Sequence, residues 1–162
     1  MDLRSYLLAS LDRAYDGSSW HGPNLKRALR GLTPQVAFFR PAPERHSAYD
    51  LALHAAYWKY VARRRLSGEK RASFPIPGSN FFLAPPRPSA KELATALAVL
   101  ETEHRALRAL VEELPEPAFS ARFGRRTGEA LISGVAAHDL YHAGQIQLVR
   151  KLFPGSGRSS RT

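Results

Sequence analysis

The chain has 162 residues, of which 44 % are hydrophobic, and this size and composition fit one domain with a single core. It contains no cysteine, which excludes disulfides and thiolate metal ligands, and it has no run of about 18 apolar residues, so we expect no membrane span. The formal net charge is +10, but the basic residues are scattered, so a solvated surface explains them more simply than a nucleic-acid interface. The first residues form no apolar leader segment, and we expect a cytoplasmic protein.

Hydrophobic spacing in the first third of the chain predicts helices separated by turns. A first helix is expected from about residue 2 to residue 15, and a shorter helical piece over residues 22–30. Ser47 and Asp50 are spaced as a capping box, which predicts that a second long helix begins there and covers residues 48–66.

Residues 69–88 form a long connection that is rich in proline, glycine and phenylalanine. A loop of this length in a compact domain is often functional, for example as a lid. The alternative is a plain surface loop that is anchored by the aromatic rings of Phe74, Phe81 and Phe82.

The second half of the chain predicts two further long helices. Ser89 is expected to cap the third helix, which ends near Leu114, and Thr127 to cap the fourth, which ends near Phe153. No β-hairpin is expected. The prediction is an all-α protein, an antiparallel four-helix bundle with a long crossover loop between its second and third helices. It forms one domain over residues 1–153, and residues 154–162 form a flexible basic tail.

Three histidines lie on helix faces that the spacing predicts to be buried. On the fourth helix the apolar stripe contains two of them, four residues apart; its members are Leu131, Val135, His138, His142, Ile146, Val149 and Phe153. On the second helix the stripe contains Leu51, His54, Ala55, Trp58 and Val61. If the two helices are neighbours in a bundle, the three imidazoles can meet in one pocket.

Inward histidines have two interpretations. A single core histidine is often a packing residue with a hydrogen-bond partner, and a pair at this spacing also arises by chance. Three such residues are harder to explain as packing, because each would need a buried partner or lose roughly 1–3 kcal/mol as an unsatisfied group. A divalent metal bound by His54, His138 and His142 would satisfy all three at once.

Sequence motifs around these histidines resemble a known family. The segments are HDLYHAGQIQLVRK (residues 138–151), LALHAAYWKYVARRRLSGE (residues 51–69) and SSWHGPNLKRALRGLT (residues 18–33). They resemble the DinB/YfiT-like superfamily of metalloenzymes, whose members are four-helix bundles and often dimers. In that family one histidine of the second helix and two of the fourth hold the metal, and the resemblance implies these roles for His54, His138 and His142.

The resemblance implies a metal-dependent enzyme that acts on a small molecule. Three neutral nitrogen ligands leave open positions for water or a thiol, and characterised relatives use low-molecular-weight thiols. We expect a homodimer with one divalent ion per site, nickel or zinc first and iron or manganese as alternatives. The other hypotheses are a non-catalytic metal-binding bundle and a nucleic-acid-associated protein, and the scattered charge disfavours the latter.

Four residues near the histidines are candidates to line a substrate pocket: Tyr57, Trp58, Tyr141 and Gln145. Aromatic residues at helical spacing are also typical of a plain core, and this alternative stays open. His104 is in phase with the apolar stripe of the third helix, so it is either a fourth ligand or a core residue. The resemblance assigns it no role.

Overall fold

The structure is a computed structural model that describes residues 1–70, 74–85 and 87–155. Within these ranges the chain is mostly helical with one small sheet, which confirms the all-α class. Most of the predicted basic tail lies outside the described residues. The elements are α1 (Leu3–Tyr15), α2 (Leu25–Leu29), α3 (Pro34–Ala37), α4 (Ala48–Ser67), α5 (Ala90–Glu113), α6 (Pro117–Ser120), β1 (Arg122–Phe123), β2 (Arg126–Thr127) and α7 (Gly128–Leu152).

Each of the four long helices begins after a polar side chain that caps its N-terminus. The capping residues are Asp2, Ser47, Ser89 and Thr127. The box predicted at α4 is complete, because Ser47 Oγ accepts from Asp50 N at 3.2 Å and Asp50 Oδ2 accepts from Ser47 N at 2.8 Å. These bonds satisfy amide groups that have no partner within the helix.

The structure differs from the prediction in its short elements. The helical piece expected over residues 22–30 is shorter, because Asn24 has an extended backbone and caps α2 by accepting from Arg27 N at 3.0 Å. The prediction that the chain has no β-hairpin was wrong. Strands β1 and β2 pair antiparallel, and the turn between them contains Gly124 at φ 70°. Strands of two residues are too short to show alternating hydrophobicity.

The long helices pack so that α4 is in contact with both α5 and α7, and α1 is in contact with both α5 and α7. Two clusters of buried apolar side chains fill the space between them; their fully buried members include Leu7, Leu11, Leu25, Leu53, Leu107 and Ile132. The contact between α4 and α7 places the helix of His54 beside the helix of His138 and His142. No helix in the described part of the chain is long and apolar enough to cross a membrane.

A fully buried ion pair joins α4 to α7. The ammonium of Lys59 contacts the carboxylate of Asp139, and neither side chain is exposed to solvent. The Nζ atom of Lys59 also lies 3.5 Å from His104 Nδ1 on α5 and 5.2 Å from the ring centroid of Tyr15 on α1. Complete burial raises the pKa of the Asp139 carboxyl, and the charge of Lys59 opposes that rise. One cation therefore contacts groups from all the other long helices.

Lys59 was not predicted to lie in the core. The helical spacing placed Trp58 in the inward stripe of α4, but the side chain of Trp58 is 36 % exposed, whereas its neighbour Lys59 is 0 % exposed. A lysine is almost never fully buried unless it is paired, and the acid that pairs with it is 80 positions away in the sequence.

We expect Lys59→Met to lower the free energy of unfolding by about 3–5 kcal/mol, because the Asp139 carboxylate would remain buried without its partner. The double variant Lys59→Met/Asp139→Leu should recover most of this loss. Urea unfolding followed by circular dichroism measures both values.

The matched control is Lys26→Met, which removes an equal charge from a half-exposed pair with Glu101. Its expected cost is less than about 1 kcal/mol. A cost for Lys59→Met that does not exceed the cost for Lys26→Met would show that the buried pair does not stabilise the fold.

Candidate metal centre

The three inward histidines converge through their Nε2 atoms. His54 is on α4, and His138 and His142 lie one turn apart on α7. His138 Nε2 is 3.1 Å from His54 Nε2 and 3.0 Å from His142 Nε2. One nitrogen from each ring lies within 4.8 Å of the other two. The convergence that the helical spacing predicted is therefore present.

Two of the three imidazoles are held by hydrogen bonds at their far nitrogen. His54 Nδ1 donates to the carbonyl oxygen of Asn80 at 2.9 Å, and His142 Nδ1 faces the amide oxygen of Gln145 at 2.6 Å. A carbonyl oxygen can only accept, so the proton of each ring is on Nδ1. Each Nε2 is then left as a lone pair that points into the cluster. Partners of this kind fix the orientation and tautomer of metal-binding histidines.

The protons available in the cluster cannot satisfy its nitrogens. His138 Nε2 can donate one proton to only one neighbouring lone pair at a time, and among the described residues its buried Nδ1 has no partner. A cation bound by the three Nε2 atoms would resolve the deficit among those atoms, with the proton of His138 then on Nδ1. Two nitrogens that lie about 2.1 Å from one ion are about 3.0 Å apart at a right angle and about 3.4 Å apart at a tetrahedral angle. The observed separations of 3.0 and 3.1 Å fit such a site.

Burial keeps the three imidazoles neutral. It lowers the pKa of His54, and together with the neighbouring imidazoles it lowers the pKa of His138 to about 3. Burial also lowers the pKa of His142 to about 4, although the hydrogen bond that its Nδ1 donates to Gln145 opposes the change. Neutral imidazole is the form that binds a metal, so the site is ready for a cation at neutral pH.

The loop between α4 and α5 supplies a residue of the site that sequence reasoning missed. Asn80 accepts from His54 through its main chain, and its Oδ1 accepts from Trp58 Nε1 at 3.0 Å. Its φ of 61° lies in the left-handed region, which asparagine tolerates better than most residues. The only signal in the sequence was an asparagine two residues after Gly78 in a proline-containing loop.

Aromatic rings of the same loop have two roles. Phe74 and Phe82 are buried in the core and anchor the loop, as one of the two interpretations predicted. Phe81 instead stacks on the imidazole of His54, with ring centroids 4.1 Å apart, and its other face stacks on His46 at 3.7 Å. The loop therefore covers one side of the site.

The four residues suggested as pocket candidates lie in different places. Trp58 lines a groove of about 450 Å³ that is also lined by His54 and His138. Gln145 contacts His142 but does not line this groove, and Tyr57 packs against Phe74 and Phe82. Tyr141 is 65 % exposed and meets His142 edge-on at 5.2 Å.

His104 belongs to the buried ion pair rather than to the histidine cluster. Its ring stacks on Tyr15 at 3.8 Å, and its Nδ1 faces Lys59. Burial and the charge of Lys59 lower its pKa to about 3. In the described part of the chain it is not grouped with the three histidines that could hold an ion.

A comparison with protein families finds a match to the DinB superfamily over residues 19–146. The match spans more than half of the chain and includes all three histidines of the cluster. A search of curated proteins finds no match. The same holds for a search of solved structures.

We expect the metal-free protein to lose stability as the pH falls from 6.5 to 4.5. In this range histidines of the unfolded chain take up protons, whereas the folded pKa values of His138 and His142 are about 3 and about 4. The unfolded state then holds more protons, so acid favours unfolding, by roughly 1 kcal/mol per pH unit for each histidine after allowance for solvent screening.

Urea unfolding in a chelator at several pH values measures this slope. His138→Gln should reduce it, and the matched control His21→Gln, at an exposed position, should leave it unchanged. Equal slopes in the wild type and in His138→Gln would contradict the assignment of a neutral imidazole.

Proposed function

Because the chain belongs to the DinB superfamily, we propose that it is a metal-dependent enzyme whose divalent ion is bound by His54, His138 and His142. The observation that carries this proposal is the convergence of three neutral imidazoles whose nitrogens lack enough protons to satisfy one another. We also propose that α1, α4, α5 and α7 form an antiparallel four-helix bundle that holds the site; the contacts among these helices support it.

A divalent ion on three nitrogens keeps open positions and supplies Lewis acidity that lowers the pKa of a water or thiol ligand. The chain contributes the geometry. Asn80 and Gln145 orient two of the imidazoles, and Phe81 covers one of them. The groove beside His54 and His138 offers space for a small molecule. The nitrogen donors suit nickel or zinc, with iron or manganese as alternatives.

The groove favours a thiol over water as the activated group. In the described part of the chain none of its lining residues is an aspartate or a glutamate. Metal-dependent hydrolysis commonly uses a carboxylate as general base, whereas a thiol ionises closer to neutral pH and needs less help. We therefore propose a low-molecular-weight thiol as substrate. The same absence would also be found in a non-catalytic metal-binding protein, which is the second candidate.

We propose that the protein is a homodimer. Three large apolar side chains are more than half exposed along one side of α7, namely Tyr141, Leu148 and Leu152. Their spacings of seven and four residues place them on one side of the helix, about two turns and one turn apart, and an exposed apolar stripe on a helix is typical of a contact surface.

The metal site is tested first by elemental analysis of the tag-free protein after loading and removal of excess ion. We expect about one ion per chain in the wild type and in the control His21→Ala, and loss of the ion in His142→Ala, because a chelate with two nitrogens is much weaker. Absence of metal from the wild type after incubation with zinc and with nickel would overturn the site.

Turnover of thiol substrates is then measured on the loaded protein. Consumption of a thiol that depends on the ion supports the enzyme. Full loading without turnover of thiol or hydrolytic substrates would favour the non-catalytic candidate.

Leu148→Glu is expected to convert the protein from dimer to monomer, because a carboxylate in an apolar interface loses its hydration. Sedimentation velocity measures the change, and Gln147→Glu is the matched control on the adjacent position of α7. A monomeric wild type, or a Leu148→Glu variant that stays dimeric, would contradict the proposal that this stripe forms a dimer interface.

A further inference from the structure

The groove beside the histidines runs between α4 and α7, and the chemical character of its lining residues changes along its length. Along α4 its lining residues follow the order His54, Trp58, Val61, Arg65. On the facing side they follow the order His138, Val135, Leu131, Arg126. By chain position both sides therefore pass from a histidine through apolar residues to an arginine, and the side chain of Arg126 reaches back to Gly134. Arg65 follows His54 by 11 residues, which is about 16 Å along the helix axis.

Arg126 lies over α7 and close to the histidines. A Cβ atom added at Gly134 would lie 4.0 Å from Nη1 of Arg126. Gly134 is one helical turn before His138, so the guanidinium lies about one turn from the metal centre. A larger side chain at position 134 would compete with the guanidinium for this space.

The two arginines that line the groove are not neutralised. Within residues 1–70, 74–85 and 87–155, neither Arg65 nor Arg126 forms an ion pair, and no carboxylate lines the groove. By contrast, Arg63 on the same helix pairs with both Glu69 and Glu103. Guanidinium groups in a cleft with apolar walls create a positive potential and present paired N–H donors that match a carboxylate.

We propose that this groove binds an elongated organic acid. Its head group reaches the histidines, its apolar part packs against Val61 and Val135, and its carboxylate binds between Arg126, whose guanidinium lies beside Gly134, and Arg65 on the facing helix. The head-group contact rests on the proposed function, because it needs the metal. The proposed binding of the carboxylate depends only on the two arginines and does not require the metal. The proposal extends the thiol substrate to a thiol that carries an acid at the far end of an apolar chain.

The proposal is tested by calorimetric titration of the zinc-loaded full chain with three probes. They are 6-mercaptohexanoate, with thiol and carboxylate, 6-mercaptohexanol, with a neutral tail, and hexanoate, with no thiol. We expect the acid tail to strengthen binding by about tenfold to hundredfold, which is the usual value of a hydrogen-bonded charge. The preference for 6-mercaptohexanoate over 6-mercaptohexanol should disappear in Arg65→Gln/Arg126→Gln.

The matched control is Arg122→Gln/Arg125→Gln, which removes the same charge from exposed residues outside the groove. It should keep the preference. A preference that survives in Arg65→Gln/Arg126→Gln, one that is lost equally in both double variants, or no binding of any probe to the zinc-loaded protein overturns the inference.

Metal content and the hexanoate titration separate this inference from the proposed function. If zinc does not bind but hexanoate binds in a manner that depends on Arg65 and Arg126, the metal proposal fails and the acid site stands. If zinc binds and Arg65→Gln/Arg126→Gln does not change the preference for the probe with a carboxylate, the acid site fails and the metal proposal stands.

A second variant tests the groove without changing charge. Gly134→Leu should fold, because the added Cβ has ordinary clearance and leucine favours a helix more than glycine does. Its longer side chain would fill the middle of the groove, and we expect at least about tenfold weaker binding of both thiol probes. Unchanged binding would show that the probes do not occupy this groove.

Discussion

The buried pair of Lys59 and Asp139 is the interaction on which the arrangement of the long helices depends. Lys59 is on α4 and Asp139 on α7, and the contacts of the ammonium with His104 and Tyr15 extend to α5 and α1. The attraction between apolar side chains is non-directional, whereas a buried charge is satisfied only where its partner lies. The pair therefore sets the register of α4 against α7.

That register decides the geometry of the candidate metal centre. Asp139 directly follows His138, and Lys59 lies five residues beyond His54, so the ion pair and the histidine cluster are formed by the same two helices. A shift of one helix by a residue would move the nitrogens by about 1.5 Å, which is most of a metal–ligand bond length. The chain thus contains two different groups at this interface: a permanent internal cation, Lys59, aligns the helices, and three neutral imidazoles form the candidate metal site.

The sequence predicted the parts of this arrangement that depend on local patterns. Helix starts were predicted because caps such as Ser47 and Thr127 act on amides a few residues away, and the inward histidines were found because helical spacing decides which face is buried. Two hydrogen-bond partners could not be predicted, because no sequence pattern links them to the residues they contact. Asp139 lies 80 positions from Lys59, and Asn80, which accepts from His54 Nδ1, lies 26 positions from it. For the same reason Lys59 was not recognised as a core residue, and Asn80 was not recognised as part of the site.

One consequence of the Asn80 contacts is optical. The same residue holds the imidazole of His54 through its main chain and the indole of Trp58 through its side chain. The chain has only one other tryptophan, Trp20, which is 94 % exposed. The emission of an indole shifts with the polarity and hydrogen bonding around it. Trp58 is therefore a native fluorophore at the rim of the histidine cluster. Its fluorescence should change when the polarity or hydrogen bonding at the cluster changes, without any attached label.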